Sequence, residues 1–365
     1  MTTVFAPELE KAPGSNGSPG RPFHMLSLRV ARLWGACADR AVPWVTGVFA
    51  VVPIAVLVAI TVVLFHEALP AIRINGIGFL TRSRWDVGSG YGIPIKVHGV
   101  EMAPHTSYGA WPLILGTLES SALALVIAVP ISVGAAIIVV EKLPPRLSRW
   151  AGICLEVLVG IPSVIYGLWG ILTLGPFLSK HLAGIADHVP DVPVLRFFRG
   201  PTYGAEGLLV SGVVLGIMII PIIASTSRDL IRQVPSSAKE GARALGMTDF
   251  EVVRKVIWPW TRSGIVGASV LGLGRALGET MAVAMTSGAV LGTTAHSIFS
   301  HMNTIAATIV SQLDSAFADG TGFEVKVLAE LGLVLIVITL LCNFGAKLLL
   351  KRFGASAIAP AAMGN

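Results

Sequence analysis

Two charged residues, Arg275 and Glu279, interrupt a long apolar stretch of this sequence. The stretch runs from Gly264 to Gly292 and is long enough to cross a bilayer, where a charged side chain costs at least about 2.5–3.5 kcal/mol. Their i, i+4 spacing predicts that both side chains lie on one face of a helix. Arginine is a permanent cation whose planar fork of donors suits carboxylates and phosphates. The pair therefore predicts either an anion path or a structural salt bridge.

The composition places this pair in a membrane protein. Of the 365 residues, 53% are hydrophobic and only 13% are charged, whereas about 25% of the residues in a typical soluble domain are charged. The net charge of +6 does not indicate nucleic-acid binding, because the cations cluster in short segments between apolar stretches. The three cysteines have no metal-ligand spacing, so neither a metal site nor a disulfide framework is predicted.

The apolar segments predict an all-α integral membrane protein with six transmembrane helices, since a spanning helix needs about 20 apolar residues. Two of these segments contain G-x-x-x-G spacings, at Gly212/Gly216 and Gly274/Gly278, which favour close helix approach. The six predicted spans are Trp44–Phe65, Leu113–Val140, Ala151–Phe177, Gly207–Ser227, Gly264–Gly292 and Val327–Leu350.

The distribution of cations predicts the orientation of these spans. With both termini in the cytoplasm, two thirds of the 27 Lys and Arg residues lie in cytoplasmic segments, which favours an N-in, C-in arrangement. The predicted regions are a disordered cytoplasmic tail (1–24), a first span with its preceding cytoplasmic segment (25–65), an extracytoplasmic loop (66–112), a membrane core (113–352) and a C-terminal tail (353–365).

A cytoplasmic segment of the core, residues 228–262, is predicted to be rigid. Ser237 and Glu240 have the spacing of a capping box, in which each side chain satisfies the other's backbone donor. Gly246 is predicted to end this short helix in a left-handed conformation. Thr248 and Glu251 form a second predicted capping box for a second short helix. The small residues of the first helix allow close approach of a partner, with Lys239, Glu240 and Arg243 expected at the rim of the contact.

The same segment resembles the E-A-A-x-x-x-G-x9-I-x-L-P signature of ABC-importer permeases. In that family the segment forms a coupling helix that docks on a cytoplasmic ATPase. Three positions depart from the signature, because Gly241, Val256 and Trp258 replace the usual Ala, Ile and Leu. The coupling residues implied by the resemblance are Ser237, Glu240, Gly241, Ala242, Gly246 and Pro259.

Further motifs resemble the C-type permease of high-affinity phosphate ABC importers. They cover most of the chain after its first hundred residues and imply a type I ABC-importer permease bundle in a bacterial plasma membrane. The motifs are Y-G-A-W-P (Tyr108–Pro112), G-T-L-E-S-S (Gly116–Ser121), G-I-P-S-V-I-Y-G-L-W-G (Gly160–Gly170), G-R-A-L-G-E-T-M-A-V (Gly274–Val283) and L-G-L-V-L-I-V-I-T-L (Leu331–Leu340).

This resemblance implies a set of partners and the absence of catalysis. In that family two related permeases assemble with two copies of an ATPase and an extracytoplasmic phosphate-binding protein. The chain has no G-x-x-x-x-G-K-[ST] motif for ATP phosphates, so ATP is expected to be used by the separate ATPase. We therefore expect a non-catalytic permease that binds no cofactor of its own.

The resemblance also places Arg275 and Glu279 in the translocation path. Arg275 is expected to donate to the passing phosphate, and Glu279 to neutralise Arg275 when the path is empty. Thr280 either lines the path or bonds back to the helix backbone. Three alternatives stay open: a purely structural Arg275–Glu279 pair, a permease for sulfate or molybdate, and an anion channel or transporter that does not use ATP.

Overall fold

A computed structural model gives the structure of most of the chain. Residues 1–21 and 355–365, which make up most of both predicted tails, lie outside the described residues. The chain divides into two compact units, Met1–Thr61 and Val62–Asn365. The described residues are 22–88, 93–188, 192, 196–200 and 204–354.

The first helix, α1 (Pro22–Asn75), begins in the first unit and ends in the second. In the first unit the side chains from Val42 to Ile60 are exposed and almost all apolar, as expected for a lipid-facing helix. In the second unit the helix continues beyond the predicted end of the span, Phe65. At its last residue Asn75 donates to a carboxylate oxygen of Glu330 at 2.9 Å, and both side chains are buried.

Twelve further α-helices are described, and three of them run on into single π-helical turns. The helices are α2 (Gly78–Thr81), α3 (Trp111–Ile137), α4 (Pro145–Val159), α5 (Ser163–Trp169), α6 (Gly175–His188), α7 (Leu208–Arg232), α8 (Ser236–Ala244), α9 (Asp249–Val252), α10 (Trp258–Leu277), α11 (Met281–Thr286), α12 (Ile305–Ala318) and α13 (Phe323–Gly354). The π turns follow α3, α5 and α9 at Ile138–Lys142, Gly170–Leu174 and Val253–Ile257.

A small antiparallel hairpin corrects the expectation of an all-α chain. Strands β1 (Ile95–Val97) and β2 (Val100–Met102) pair in the predicted extracytoplasmic loop. Their two-residue turn has positive φ at His98 (51°) and Gly99 (81°), as the favoured hairpin turns require. The hairpin is an addition to the loop, and the rest of the fold is helical.

The membrane-spanning helices agree with the predicted spans in part. Four described helices are long and apolar enough to cross a membrane, and α4 with the helix after it, bent by 90° at their break, counts as a fifth if taken as one span. The predicted continuous span Gly264–Gly292 is wrong, because α10 ends at Leu277 and only the short α11 follows. The four spans are Val42–Asn75, Trp111–Lys142, Leu208–Arg232 and Phe323–Leu348.

Close packing of α3 against α7 forms the centre of the second unit. A Cβ on Gly212 would lie 2.7 Å from Cγ of Leu123 in α3, so the first G-x-x-x-G spacing does allow close approach. Ser132 of α3 donates to the carbonyl oxygen of Ile220, just before Pro221 in α7. Gly274 at the second spacing meets no helix this closely, its nearest neighbour being a side-chain oxygen 3.9 Å away.

Candidate functional site

Arg275 and Glu279 lie on opposite sides of a helix break. Arg275 is in the last turn of α10, and Gly278 and Glu279 separate that helix from Thr280, the N-cap of α11. The expected shared helix face is therefore wrong. Glycine is a poor helix former, and the Glu279 carboxylate accepts a hydrogen bond from the backbone N–H of Ala282 at 3.2 Å. A negative group at a helix N-terminus is favourable, so Glu279 stabilises the start of α11.

The two charges differ in their surroundings. Glu279 is 9% exposed, whereas Arg275 is exposed at the surface of the chain. Within the described residues the two side chains form no salt bridge, so the expected neutralisation of Arg275 by Glu279 is absent. Thr280 is half-buried and its hydroxyl makes no capping hydrogen bond. The site therefore presents one unneutralised guanidinium beside a buried carboxylate that is engaged with the backbone.

Two of the sequence motifs meet at this break. Helix α5, within G-I-P-S-V-I-Y-G-L-W-G, packs against α11, which begins with the last three residues of G-R-A-L-G-E-T-M-A-V. A Cβ on Gly167 would lie 2.9 Å from Cα of Ala282, so only glycine permits this approach. The hydroxyl of Tyr166 on α5 donates to the carbonyl oxygen of Leu158 at 3.2 Å. The arrangement places the guanidinium of Arg275 beside a break where α5 and α11 pack closely, and a guanidinium suits an anion.

The second candidate region is the segment from α8 to the start of α10, which we call the coupling segment (Ser236–Ile257). Helix α8 exposes one face at i, i+3, i+4 and i+7 spacing, formed by Ser237, Glu240, Gly241 and Ala244. Its opposite side is anchored by Ala242, which is 7% exposed and packs in a core with Val252 of α9 and other apolar residues. The packing of Ala242 in this core therefore fixes the orientation of the exposed face of α8.

Exposed apolar side chains extend this face. Leu245 is 81% exposed and Phe250 is 71% exposed, both next to the helix ends of the coupling segment. The signature residues did not include either of them. Their signal in the sequence was an apolar residue within a charged, well-capped segment. Large exposed apolar side chains rimmed by polar residues are typical of protein interaction sites.

The helix ends of the coupling segment follow the predictions in two of three cases. Gly246 has φ of +80°, and the hydrogen bonds Gly246 N–H to Arg243 C=O and Met247 N–H to Ala242 C=O form a Schellman motif. Thr248 and Glu251 form the predicted reciprocal capping box.

The predicted Ser237–Glu240 capping box is wrong. Pro235 is the N-cap of α8 and makes no side-chain capping bond, so Ser237 lies inside the helix. Pro259 lies in the first turn of α10, ahead of the predicted span that begins at Gly264. Proline is tolerated there because its missing N–H would have had no intrahelical partner.

An ion network joins the coupling segment to the end of α3. Glu141 accepts from Lys239 at 2.6 Å and from Arg243 at 3.3 Å, and Arg243 also reaches Asp249 at 3.4 Å. The side chains of Glu141 and Lys239 are only 10% and 12% exposed. The expected role of Lys239 as a rim contact is therefore corrected, whereas Arg243 is 43% exposed and its rim contact stays a prediction. Lys142 adds a bridge to Asp249 at 2.5 Å.

Two carboxyl groups of the coupling segment have lowered pKa values. The hydrogen bond from Lys142, with the charge of Lys142 and a bond from Arg243, lowers the pKa of Asp249. The backbone N–H of Thr248 and the ammonium of Lys255 lower the pKa of Glu251 to about 2. Both groups therefore stay ionised near neutral pH, where they hold Arg243 and cap α9.

Comparison with known proteins defines the class to which this geometry belongs. Residues 128–357 match the model of the family described as "Binding-protein-dependent transport system inner membrane component". The chain belongs to this family of inner-membrane transport components. The match covers both the helix break and the coupling segment.

Individual relatives with high sequence identity to this chain define its class more closely than the family model does. The chain is 56% identical over 322 residues to "Phosphate transport system permease protein PstC 1" of Mycobacterium tuberculosis, covering 88% of this chain and 95% of the relative. It is 40% identical over 309 residues to "Phosphate transport system permease protein PstC" of Haemophilus influenzae, covering 84% and 91%. The resemblance to C-type phosphate permeases is thereby confirmed.

A solved structure with similar backbone is the inward-facing methionine ABC transporter MetNI. It has a TM-score of 0.46 and 21% identity, covering 67% of this chain and 94% of that chain.

Proposed function

We propose that this chain is the transmembrane permease subunit of an ATP-driven importer of inorganic phosphate. The observation that carries the proposal is the 56% identity to a phosphate transport permease over 95% of that relative's length. Phosphate arrives from an extracytoplasmic binding protein and passes between this chain and a second, homologous permease. ATP is hydrolysed by two copies of a separate ATPase subunit.

Arg275 is the phosphate contact in this proposal. An exposed guanidinium in a membrane-embedded chain must face water, substrate or another subunit, because contact with lipid is costly. A helix rises about 1.5 Å per residue, so Arg275 lies about 20 Å along α10 from Arg262. Arg262 belongs to the predicted cytoplasmic segment, so Arg275 lies in the outer half of a hydrocarbon core that is about 30 Å thick. It is placed to receive phosphate from outside.

Glu279 has a positioning role in this proposal. Its bond to the N–H of Ala282 fixes the start of α11, and α11 packs on the helix that carries Tyr166. The carboxylate stays near the path without occupying the donors of Arg275. Phosphate therefore does not have to displace it, and Thr280 lines the same break.

The coupling segment receives the ATPase. The exposed face of α8, with Leu245 and Phe250 beside it, offers an apolar contact of the kind found at protein interfaces. Movement of α8 reaches the membrane through the bond from Lys239 to Glu141 at the end of α3. In this arrangement both termini are cytoplasmic, and α10 with α11 forms the sixth span in an interrupted form. An ATP-independent channel would have no use for such a segment.

Reconstitution tests this function. This chain, its partner permease and the ATPase are assembled in vesicles with internal ATP and an external binding protein, and uptake of labelled phosphate is measured. We expect uptake that requires both ATP hydrolysis and the binding protein and that resists excess sulfate or molybdate. Uptake without hydrolysis would identify a channel, and inhibition by sulfate or molybdate would identify another oxyanion as the substrate.

The ATPase contact has a separate test with a matched control. The double variant Leu245→Ser/Phe250→Ser removes only exposed side chains, so the membrane fold stays intact while the ATPase no longer co-purifies. Ile77→Ser is the control, because Ile77 is 83% exposed but lies beside α2, outside the coupling segment. Equal loss of the ATPase in the control would contradict the assignment.

A further inference from the structure

A cationic cleft lies between α4 and the last two turns of α7, outside the helix break and the coupling segment. Its volume is about 430 Å³. It opens on the side of the molecule where α7 leads into α8 and where α3 ends before α4. The polar and charged side chains that line it are Ser148, Arg149, Glu156, Arg228 and Arg232.

One of the three arginines forms the fixed wall of the cleft. The side chain of Arg228 is 7% exposed and binds Glu156 and Asp229, each at 3.1 Å. Gly152 makes room for it, since a Cβ there would collide with an Nη atom of Arg228. Among the described residues that line the cleft, Glu156 supplies the only carboxylate, and it is thus already paired. The buried guanidinium is held in place from both sides.

The other two arginines are uncompensated. Arg232 donates to the hydroxyl of Ser148 at 3.1 Å and forms no salt bridge among the described residues. Arg149 is exposed and has no ion pair in the part of the chain that the structure describes. The first turn of α4, including Pro145 and Ser148, also lines the cleft. A helix N-terminus carries a partial positive charge, which adds to the charge of the arginines.

We propose that this cleft binds a phosphate group through Arg149, Arg232 and the Ser148 hydroxyl. Arginine forks match phosphate oxygens bidentately, and basic pockets between membrane helices bind anionic headgroups. Two sources supply this chemistry. One is inorganic phosphate leaving the path, which rests on the proposed function. The other is the headgroup of an anionic lipid, whose chains would lie on the exposed Leu147 and Trp150 beside the cleft.

The test uses the assembled transporter with the double variant Arg149→Gln/Arg232→Gln. Both residues lie at the open side of the cleft without ion pairs, so their loss strands no buried carboxylate. Arg146→Gln is the matched control, because Arg146 is an exposed arginine of the same helix that does not line the cleft. One arm measures equilibrium binding of labelled inorganic phosphate in detergent. The other counts phosphatidylglycerol retained from mixed phosphatidylglycerol–phosphatidylcholine nanodiscs by native mass spectrometry.

We expect binding in one of the two arms to weaken at least about tenfold in the double variant, as for the loss of charge-assisted hydrogen bonds. The control should stay within about twofold. The arm that responds identifies the source of the phosphate group. No difference between the double variant and the control in both arms overturns the proposal. Phosphate uptake by the unmodified transporter is measured alongside, so uptake without cleft binding rejects this site alone and leaves the proposed function standing.

Discussion

The bond between Glu141 and Lys239 should hold the coupling segment to α3, and Glu141→Gln tests this directly. The substitution keeps the size of the side chain but removes its charge. Lys239 would then have only neutral acceptors, namely the amide oxygen introduced at position 141 and the carbonyl oxygen of Ile231 at 3.4 Å. Arg243 would keep Asp249. The main consequence is therefore a nearly buried ammonium whose charge no carboxylate neutralises.

Burial decides the size of this effect. Removing one partner of a buried pair costs about 3–5 kcal/mol, and the 10% and 12% exposure of the two side chains favours the lower end. The neighbouring bridge from Lys142 to Asp249 is shorter, at 2.5 Å, but its side chains are 58% and 54% exposed. Exposed pairs contribute only about 0.2–1 kcal/mol. The longer bridge should therefore stabilise the segment more.

Hydrogen-exchange mass spectrometry on peptides covering α8 measures the difference. A loss of about 3 kcal/mol in local stability corresponds to about 100-fold faster exchange, and the control Lys142→Gln should change it by at most about fivefold. The double variant Glu141→Gln/Lys239→Gln leaves no charge unpaired and should recover most of the protection. Unchanged exchange in Glu141→Gln, or additive losses in the double variant, would refute the reasoning.

Two further predictions concern the same segment. Gly246→Ala should destabilise α8 by about 1–2 kcal/mol, because the φ of +80° at this position is unfavourable for alanine. Gly241→Ala should stabilise α8 by about 0.5–1 kcal/mol, because Gly241 is helical and has open space where a Cβ would lie. Equal effects of the two variants on hydrogen exchange in α8 would contradict this. The pKa of Glu251 is lowered from 4.5 to about 2, so its cap on α9 is fully present above pH 4.5 and is lost as the pH falls through about 2. NMR of the Glu251 carboxyl group should show a titration midpoint near pH 2 in the unmodified protein and a higher midpoint in Thr248→Ala. A titration midpoint near pH 4.5 in both proteins would contradict the cap.

Several features of the structure could be predicted from residues that lie close together in the sequence. The capping box of Thr248 and Glu251 lies within four residues, and Gly246 directly follows the helix that it ends. Both helix ends could therefore be predicted from the sequence. The close α3–α7 contact at Gly212 followed from small-residue spacing. Four predicted spans correspond to long apolar helices, because length and hydropathy are also local properties.

Other features depend on distant parts of the chain and could not be read from spacing. The break after Leu277 lies inside an apolar stretch that is long enough for one helix, and the contact of α5 with α11 that accompanies it is tertiary. Ser237 has the spacing of a capping box with Glu240, but α8 begins earlier because Pro235 is its N-cap. Lys239 looked like a surface cation because its partner, Glu141, lies far back in the sequence. The count of six spans and the orientation of the termini stay predictions.

The role of Arg275 is tested most directly by phosphate uptake in vesicles that contain the assembled transporter with Arg275→Gln. Loss of a charge-assisted bond of about 1.5–3 kcal/mol predicts that uptake falls about 10- to 100-fold, with normal amounts of the partner permease and ATPase in the complex. Arg73→Gln, an exposed arginine in the last turn of α1, is the matched control and should transport normally. Normal uptake by a fully assembled Arg275→Gln transporter would contradict the assignment of Arg275 as the phosphate contact.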